Sequence, residues 1–205
     1  ARISPYVIWR SKAEVAPQLP PKVFTVMPIH LEGPQLALYK RVKHEVFIDI
    51  PDSTTSLFIP NMLARIVRLQ QAVTDPSLIG FDVQSAKMSW VCDYVLDNPN
   101  EVMVILTVFR DTAKRLADLL DASLSVGGAS DVAGFLSGKS RLLVGTISSL
   151  GEGLNLQRAS TMIFLDETWQ SIKMTQAVDR VHRIDITEPK HIIRLSAIGT
   201  VDEVV

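Results

Sequence analysis

The sequence predicts an α/β fold in which a mainly parallel sheet lies between two layers of helices. Beyond residue 85, short apolar runs alternate with stretches that have helical spacing. The runs Val102–Leu106 and Thr161–Leu165 are almost unbroken, which is typical of strands that are buried on both faces. Buried strands that are separated by helices are typical of a parallel sheet covered on both sides.

The first part of the chain predicts a connector followed by a strand and two helices. Residues 1–22 are largely polar and contain four prolines, which favours a connector over a core element. A strand is predicted at Val23–Ile29, where Pro28 favours a sheet edge or a strand end. Helical spacing then predicts helices over Gln35–Phe47 and from Pro60 to Val73.

From Ser85 the alternation becomes regular. The predicted helices are Ala86–Leu96, Asp111–Leu120, Val132–Phe135 and Ser171–Arg183. The predicted strands are Val102–Leu106, Leu124–Val126, Leu142–Val144, Thr161–Leu165 and His191–Leu195. In sheets of this kind, ligands bind at the loops that follow the carboxyl ends of the strands.

Composition excludes some classes of protein and leaves others open. The formal net charge is −1, whereas a dedicated nucleic-acid module is usually clearly basic, so any nucleic-acid contact must come from a few placed groups. The single cysteine, Cys92, excludes an internal disulfide framework, and we interpret it as a small core residue. No apolar run approaches the roughly 18 residues of a membrane span. The four histidines have no cysteine partners at metal spacing, so no structural metal is expected.

The segment Ala133–Ser140 comes close to the pattern of a phosphate-binding loop. Such a loop needs a strand before it and a helix after it, so that its N–H groups and the helix dipole converge on the phosphates. Here the predicted order is the reverse, and Ala133 replaces the first glycine. We therefore predict a plain helix-to-strand turn.

The predicted last helix carries the strongest chemical signal. At 100° per residue, Gln176, Arg180 and Arg183 share one side of the helix, opposite an apolar arc. Two close guanidinium groups suit a phosphoryl group that lies between them. The alternative is a solvated helix face on which Asp179 pairs with Arg183. Periodicity alone leaves both interpretations open.

The string Gln176–Ile184 resembles motif VI of the Swi/Snf group of helicase superfamily two. The resemblance implies the C-terminal RecA-like lobe of an ATP-dependent DNA translocase, with a three-layer parallel sheet preceded by a helical inter-lobe segment. It implies that Arg180 and Arg183 are arginine fingers, and that Gln176 acts with them as a catalytic residue. ATP and Mg²⁺ would be held mainly by the other, N-terminal lobe.

Other segments resemble further motifs of the same family. Gly145–Leu156 is similar to motif V, which implies that Gly151, Glu152 and Gly153 contact the nucleotide. Asp179, in the segment that resembles motif VI, would contact the nucleotide as well. The resemblance also implies contacts to the DNA backbone, through the predicted set Thr107, Gly128, Thr146, Ser148, Ser149 and Trp169. Trp169 would either stack on a base or anchor its loop as a buried side chain, and the second role is the commoner.

The resemblance covers nearly the whole chain and sets its predicted organisation. Residues 1–79 would be the inter-lobe connector and helical segment, with Gln35 and Tyr39 at family positions, and residues 80–205 would be the RecA-like lobe. Ser85-Ala86-Lys87 resembles the opening of that lobe, and Gly199–Glu203 resembles its closing sequence. The expected partners are double-stranded or branched DNA and the N-terminal lobe of the same polypeptide, with no membrane.

Two hypotheses follow for the function. The first is a motor lobe of a DNA-dependent ATPase, located in the cytoplasm or nucleoid of a prokaryote or virus, or in the nucleus of a eukaryote. The second is a DNA-binding or protein-interaction module that keeps the fold without motor activity, which the near-neutral charge favours. The fragment alone is expected to be inactive, because it lacks groups to hold Mg²⁺ and the phosphates.

Overall fold

A computed structural model describes residues 19–48, 58–127, 129–150, 154–183 and 186–204. The strands are β1 (Lys22–Ile29), β2 (Met103–Thr107), β3 (Ser123–Val126), β4 (Ala129–Ser130), β5 (Leu142–Thr146), β6 (Thr161–Phe164) and β7 (Lys190–Ala197). The α-helices are α1 (Gly33–Ile48), α2 (Phe58–Thr74), α3 (Ala86–Asp97), α4 (Arg110–Leu120), α5 (Ala133–Leu136) and α6 (Ser171–Val181). Short 3₁₀ helices span Pro76–Ile79 and Val201–Glu203.

The strands form one sheet in the order β1-β7-β6-β2-β5-β3-β4. All neighbouring pairs are parallel except β3 and β4, which form a short antiparallel hairpin that the sequence did not predict. Every residue of β2, β5 and β6 is buried, as a strand covered on both faces requires. The predicted fold class is therefore confirmed.

Apolar side chains form a core on each face of the sheet. The first core joins the sheet to helices α1 to α4, through residues such as Val42, Val73, Val91 and Leu116. The second lies under α5, α6 and the segment after β5, and includes Phe135, Leu156, Val178 and Val181. Two helical layers around one sheet give the three-layer arrangement expected of the RecA-like fold.

The helical segment before residue 80 is joined closely to the rest of the molecule. Strand β1 pairs with β7 along its whole length and forms an edge of the sheet. The Gln35 amide donates to the carbonyls of Ala72 and Val73, at 3.2 and 2.8 Å, and accepts from Ala86 N at 2.8 Å. The two predicted regions thus share one sheet, and the boundary at residue 79 stays a prediction.

Two further sequence predictions concern the second face. Segment 133–140 is helix α5 followed by a turn, with Gly138 at φ +84°, and then strand β5, so the predicted helix-to-strand turn is confirmed. Helix α6 ends at Val181 rather than at Arg183, so the predicted end of this helix is wrong. Within the described ranges, the helices are too short or too polar to cross a bilayer.

Candidate functional site

The predicted site residues that the structure describes lie at two opposite edges of the sheet. Helix α6 leaves the carboxyl end of β6 and returns to the amino end of β7, so its last turn lies at the amino edge. There, Leu156 N donates to the Arg180 carbonyl at 3.2 Å. Thr107 and Ser148 lie at the opposite edge, where β2 and β5 end. A five-residue strand such as β2, about 16 Å long, separates the two sets.

Helix α6 ends where His182 turns into the protein. Ala177, Val178 and Val181 form the buried face of the helix, as the apolar spacing predicted. His182 N donates to the Val178 carbonyl at 3.0 Å, and the His182 backbone, at φ −102° and ψ 86°, is no longer helical. Its buried ring places Nε2 2.7 Å from the Pro20 carbonyl, and this contact directs the chain away from the helix axis.

The two arginines are available for an external anion. Arg180 is half-buried on the last helical turn, whereas Arg183 is exposed and lies beyond the helix. Gln176 and Arg180, one turn apart, therefore share the predicted face of the helix. Arg183 does not share it, because it lies beyond the end of the helix. Among the described residues, neither arginine side chain has an ion pair within 4.0 Å or a hydrogen bond. The guanidinium groups are thus free to bind an anion from outside.

Asp179, next to Arg180 in sequence, is engaged in an ion pair. Its carboxylate lies 3.1 Å from Lys22 Nζ, at the start of β1. This contact joins the end of α6 to the edge strand. Asp179 therefore pairs with Lys22 and not with Arg183, as the alternative interpretation required. The predicted contact of Asp179 with a nucleotide would have to compete with this ion pair.

Thr107 does not present its hydroxyl to solvent. The side chain is buried, and Oγ1 donates to Asp166 Oδ2 at 2.7 Å. Asp166 Oδ1 accepts from Val108 N at 2.6 Å. The hydroxyl thus binds a carboxylate inside the protein, and the contact of Thr107 with DNA stays a prediction.

A buried charge network lies behind this turn. Lys87 is fully buried, and its Nζ lies 2.5 Å from Asp202 Oδ2 and donates to the Leu165 carbonyl at 2.7 Å. Burial raises the pKa of Asp166 to about 6, although Lys87 and the hydrogen bonds from Thr107 and Val108 favour the charged form. Sequence reasoning did not assign roles to Lys87, Asp166 or Asp202.

Signals for two of these residues were present in the sequence. Lys87 is spaced four and eight residues from Val91 and Val95 on the apolar side of α3, which indicates a buried cation. Asp166 follows an unbroken apolar strand, a position at which a carboxylate meets the turns of neighbouring parallel strands.

The turn after β5 presents one of its three predicted hydroxyls. Ser148 is exposed, and its Oγ lies 3.4 Å from Thr146 Oγ1, which is largely buried. Ser149 Oγ lies within hydrogen-bond distance of the carbonyls of Ser125 and Thr146, which share its single proton, and accepts from Thr146 N. Ser149 therefore stabilises the turn, and its contact with DNA stays a prediction. The contact of Thr146 with DNA likewise stays a prediction.

Trp169 is exposed rather than buried. Half of its surface, 51%, is accessible, so the expectation of a buried loop anchor is wrong. The ring borders a groove of about 270 Å³ between the start of α6 and strand β1. Phe24 and Met174 contribute apolar walls, and Arg194 contributes a guanidinium that pairs with Glu167 at 3.3 Å. An aromatic ring in this position is open to a stacking partner.

Four predicted site residues, Gly128, Gly151, Glu152 and Gly153, lie outside the described residues. Within the described part of the chain, no group of three or more histidine, cysteine, aspartate or glutamate side chains is placed to bind a metal ion. The guanidinium groups of Arg180 and Arg183, which have no partner among the residues that the structure describes, fit an anionic phosphate chain, not a cation. The residues present therefore suit one side of a nucleotide's phosphates.

Comparisons with known proteins identify relatives of this fold. Residues 86–185 match the helicase conserved C-terminal domain family. The SWI2/SNF2 ATPase core domain of Sulfolobus solfataricus superposes with a TM-score of 0.74 at 26% identity, over 98% of this chain and 45% of that chain. The structure of that core in complex with dsDNA gives a TM-score of 0.73 at 26% identity, over 98% and 47% of the two chains.

Curated relatives are similar over nearly the whole chain. An uncharacterized ATP-dependent helicase of Mycoplasma genitalium is 25% identical over 98% of this chain and 21% of its own length. The subunit snf22 of the SWI/SNF chromatin-remodeling complex of Schizosaccharomyces pombe is 26% identical over 98% of this chain and 14% of its own length. The chain thus spans about a fifth or less of these relatives.

The parallel sheet between two helical layers, together with the family match, makes this chain a RecA-like C-terminal lobe of helicase superfamily two. Within that superfamily, almost its entire length is similar to Swi/Snf ATPases.

Proposed function

We propose that this lobe is the second motor lobe of a Swi/Snf-type DNA-dependent ATPase that translocates on DNA. The observation that carries the proposal is the pair Arg180 and Arg183, which have no partner among the described residues although they lie beside an ion pair. Guanidinium groups at an accessible edge repel each other unless an anion is near them. A polyphosphate held by a separate lobe is an anion of the right kind.

In this proposal the arginines act only when the two lobes close. Arg180 and Arg183 then bind the oxygens of the transferred phosphoryl group and stabilise the charge of the transition state, an effect worth roughly 10³–10⁵ in rate. Gln176 is exposed one helical turn before Arg180, and in this proposal it orients the nucleotide. ATP would supply the phosphate bond that is broken, and Mg²⁺ would accompany it. Both would be held mainly by the N-terminal lobe.

The carboxyl edge of the sheet is the proposed DNA contact. Exposed Ser148, the exposed turn at Gly127 and the Trp169 ring offer a hydroxyl, backbone N–H groups and a stacking surface. These groups bind phosphates and base faces, so the affinity should depend little on sequence. The preferred partner is double-stranded or branched DNA.

The segment after β5 connects the two edges. It begins with the Ser148 turn at the proposed DNA edge, and Leu156 near its end donates to the Arg180 carbonyl. Leu150 and Leu156 are buried in the same core as helix α6. A shift of this segment on DNA binding would therefore reach the arginine-bearing helix through packed side chains.

A second candidate is a DNA-binding or protein-interaction module without motor activity. The formal charge of −1 favours it, since a motor lobe that binds DNA is often more basic. A module of this kind has no use for two unpaired arginines at the edge opposite the DNA, so their substitution separates the two candidates.

The test is DNA-stimulated ATP hydrolysis by the complete polypeptide in which this lobe occurs. Arg180→Ala and Arg183→Ala should each abolish the stimulation and leave the fold intact, with Lys173→Ala, an exposed cation on the same helix, as the matched control. The lobe alone should not hydrolyse ATP. Near-normal turnover in both arginine variants, or robust turnover by the isolated lobe, would refute the proposal.

A further inference from the structure

We infer that Asp166 is a positioning residue for the DNA-facing edge: its buried carboxylate holds the turn after β2 and, through Thr107, the turn that presents Ser148. This inference rests on the proposed function and identifies a group that acts on DNA without touching it. Asp166 lies one residue beyond Leu165, at the carboxyl end of β6.

The carboxylate fixes the turn after β2 at two points. Oδ2 accepts from the Thr107 hydroxyl at 2.7 Å, and Oδ1 accepts from Val108 N at 2.6 Å. Thr107 Oγ1 in turn accepts from Phe109 N at 3.1 Å, and Phe109 is the N-cap residue that precedes helix α4. One carboxylate therefore sets the path of three consecutive residues.

Thr107 transmits this restraint to the neighbouring turn. Its carbonyl accepts from Ile147 N at 3.0 Å, so the residue before Ser148 is bonded to the same peptide that Asp166 holds. Ser149 closes the turn through its bonds to Thr146 and to the Ser125 carbonyl. The direction of the exposed Ser148 hydroxyl thus depends on the position of Thr107.

Hydrogen bonds of the neighbouring residue Leu165 fix the position of Asp166. The preceding residue, Leu165, donates its N–H to the Leu106 carbonyl at 2.8 Å, and its own carbonyl accepts from Lys87 Nζ at 2.7 Å. Lys87 is fixed by Asp202, at 2.5 Å. The charged groups that act on Asp166 are Lys87 on α3, which favours its charged form, and Asp202 after β7, which disfavours it. A rigid, buried anion is therefore the fixed point to which the exposed edge is attached.

The experiment is a double-mutant cycle in the complete polypeptide, read as affinity for a duplex of arbitrary sequence without nucleotide. Ser148→Ala and Asp166→Asn should each weaken binding roughly three- to tenfold, the effect of one hydrogen bond. If Asp166 acts through the Ser148 turn, the affinity of the double variant for the duplex should be no lower than that of the single variant with the lower affinity. Asp118→Asn, which removes an exposed carboxylate on α4, should leave the affinity unchanged.

Thr107 provides a second test in case Asp166→Asn does not fold. Thr107→Val keeps the shape but removes the hydroxyl, and should weaken DNA binding in the same way. Thr107→Ser restores the hydroxyl and should restore the affinity. In Thr107→Val the apparent KM for DNA should rise while kcat at saturating DNA is retained, because only the DNA edge is altered.

The outcomes separate the inference from the proposed function. Effects of Asp166→Asn and Ser148→Ala that multiply, or equal affinities of Thr107→Val and Thr107→Ser, would overturn the positioning role and leave the motor proposal standing. A polypeptide that does not bind DNA at all would overturn the proposed function first. Loss of affinity in Thr107→Val with rescue in Thr107→Ser supports the positioning role and the proposed DNA contact, whereas the arginine variants test the motor activity.

Discussion

Replacing Lys87 with methionine should destabilise the lobe more than any surface substitution of the same kind. Lys87 is fully buried, with its ammonium 2.5 Å from Asp202 and 2.7 Å from the Leu165 carbonyl. Methionine fills a similar volume but leaves Asp202 and Asp166 as two buried carboxylates without a cation. Removing one partner of a buried ion pair costs about 3–5 kcal/mol.

The measurement is chemical and thermal denaturation of the purified chain, followed by circular dichroism. For a chain of 205 residues, each kcal/mol shifts Tm by roughly 2–4 °C, so Lys87→Met should lower Tm by about 6–20 °C. The matched control is Lys114→Met, because Lys114 lies on a neighbouring helix and pairs with Asp111 at 3.3 Å in solvent. An exposed pair contributes about 0–1 kcal/mol.

A double variant separates charge from packing. Adding Asp202→Asn to Lys87→Met removes one of the two unpaired carboxylates, so the double variant should be more stable than Lys87→Met alone. If Lys87→Met costs no more than Lys114→Met, the reasoning about the buried network is wrong. If the double variant is less stable than Lys87→Met, Asp202 is stabilised by groups other than Lys87.

Three further predictions concern single residues. Gly145→Ala should destabilise the chain by about 1–3 kcal/mol, because a Cβ there would lie 2.6 Å from the Ser125 carbonyl oxygen; an unchanged denaturation midpoint would contradict this. Tyr39→Phe should cost about 1–3 kcal/mol in the same assay, since Val201 N donates to the Tyr39 hydroxyl at 2.9 Å in a buried contact; a neutral effect would mean that this N–H finds another acceptor. Burial raises the pKa of Asp166 to about 6 from 3.8, so the folded state binds this proton more tightly than the unfolded chain does. The contribution of Asp166 to the free energy of unfolding should therefore rise by about 1 kcal/mol as the pH falls from 7 to 5, measured as the difference between the wild type and Asp166→Asn; a contribution that falls with pH would contradict the sign.

The fold was predictable because its strongest signals are local. Unbroken apolar runs such as Met103–Leu106 leave few alternatives to a buried parallel strand, and helical spacing between them fixes the layers. The β3–β4 hairpin was not predicted, since a two-residue strand has no periodicity to detect. The place of β1 at the sheet edge followed from Pro28, but its partner β7 lies more than 160 residues away in sequence.

The site was less predictable because long-range contacts decide which side chains are free. The end of α6 depends on the contact of His182 with Pro20, which no helical pattern contains. Thr107 is at the end of its strand, as predicted, yet its hydroxyl binds Asp166, 59 residues later. The spacing that grouped Arg180 and Arg183 identified two groups at the same edge but not the break in the helix between them.

The most direct test of the central claim is the single-turnover rate of hydrolysis of ATP already bound to the complete polypeptide, at saturating DNA. This rate isolates the chemical step from nucleotide binding and product release. If Arg180 and Arg183 reach a nucleotide held by another lobe, alanine at either position should slow the step by roughly 10³-fold or more, while DNA affinity and Tm are retained. A rate equal to that of the wild type in either variant would contradict the claim for that arginine, and an unchanged rate in both would contradict the account as a whole.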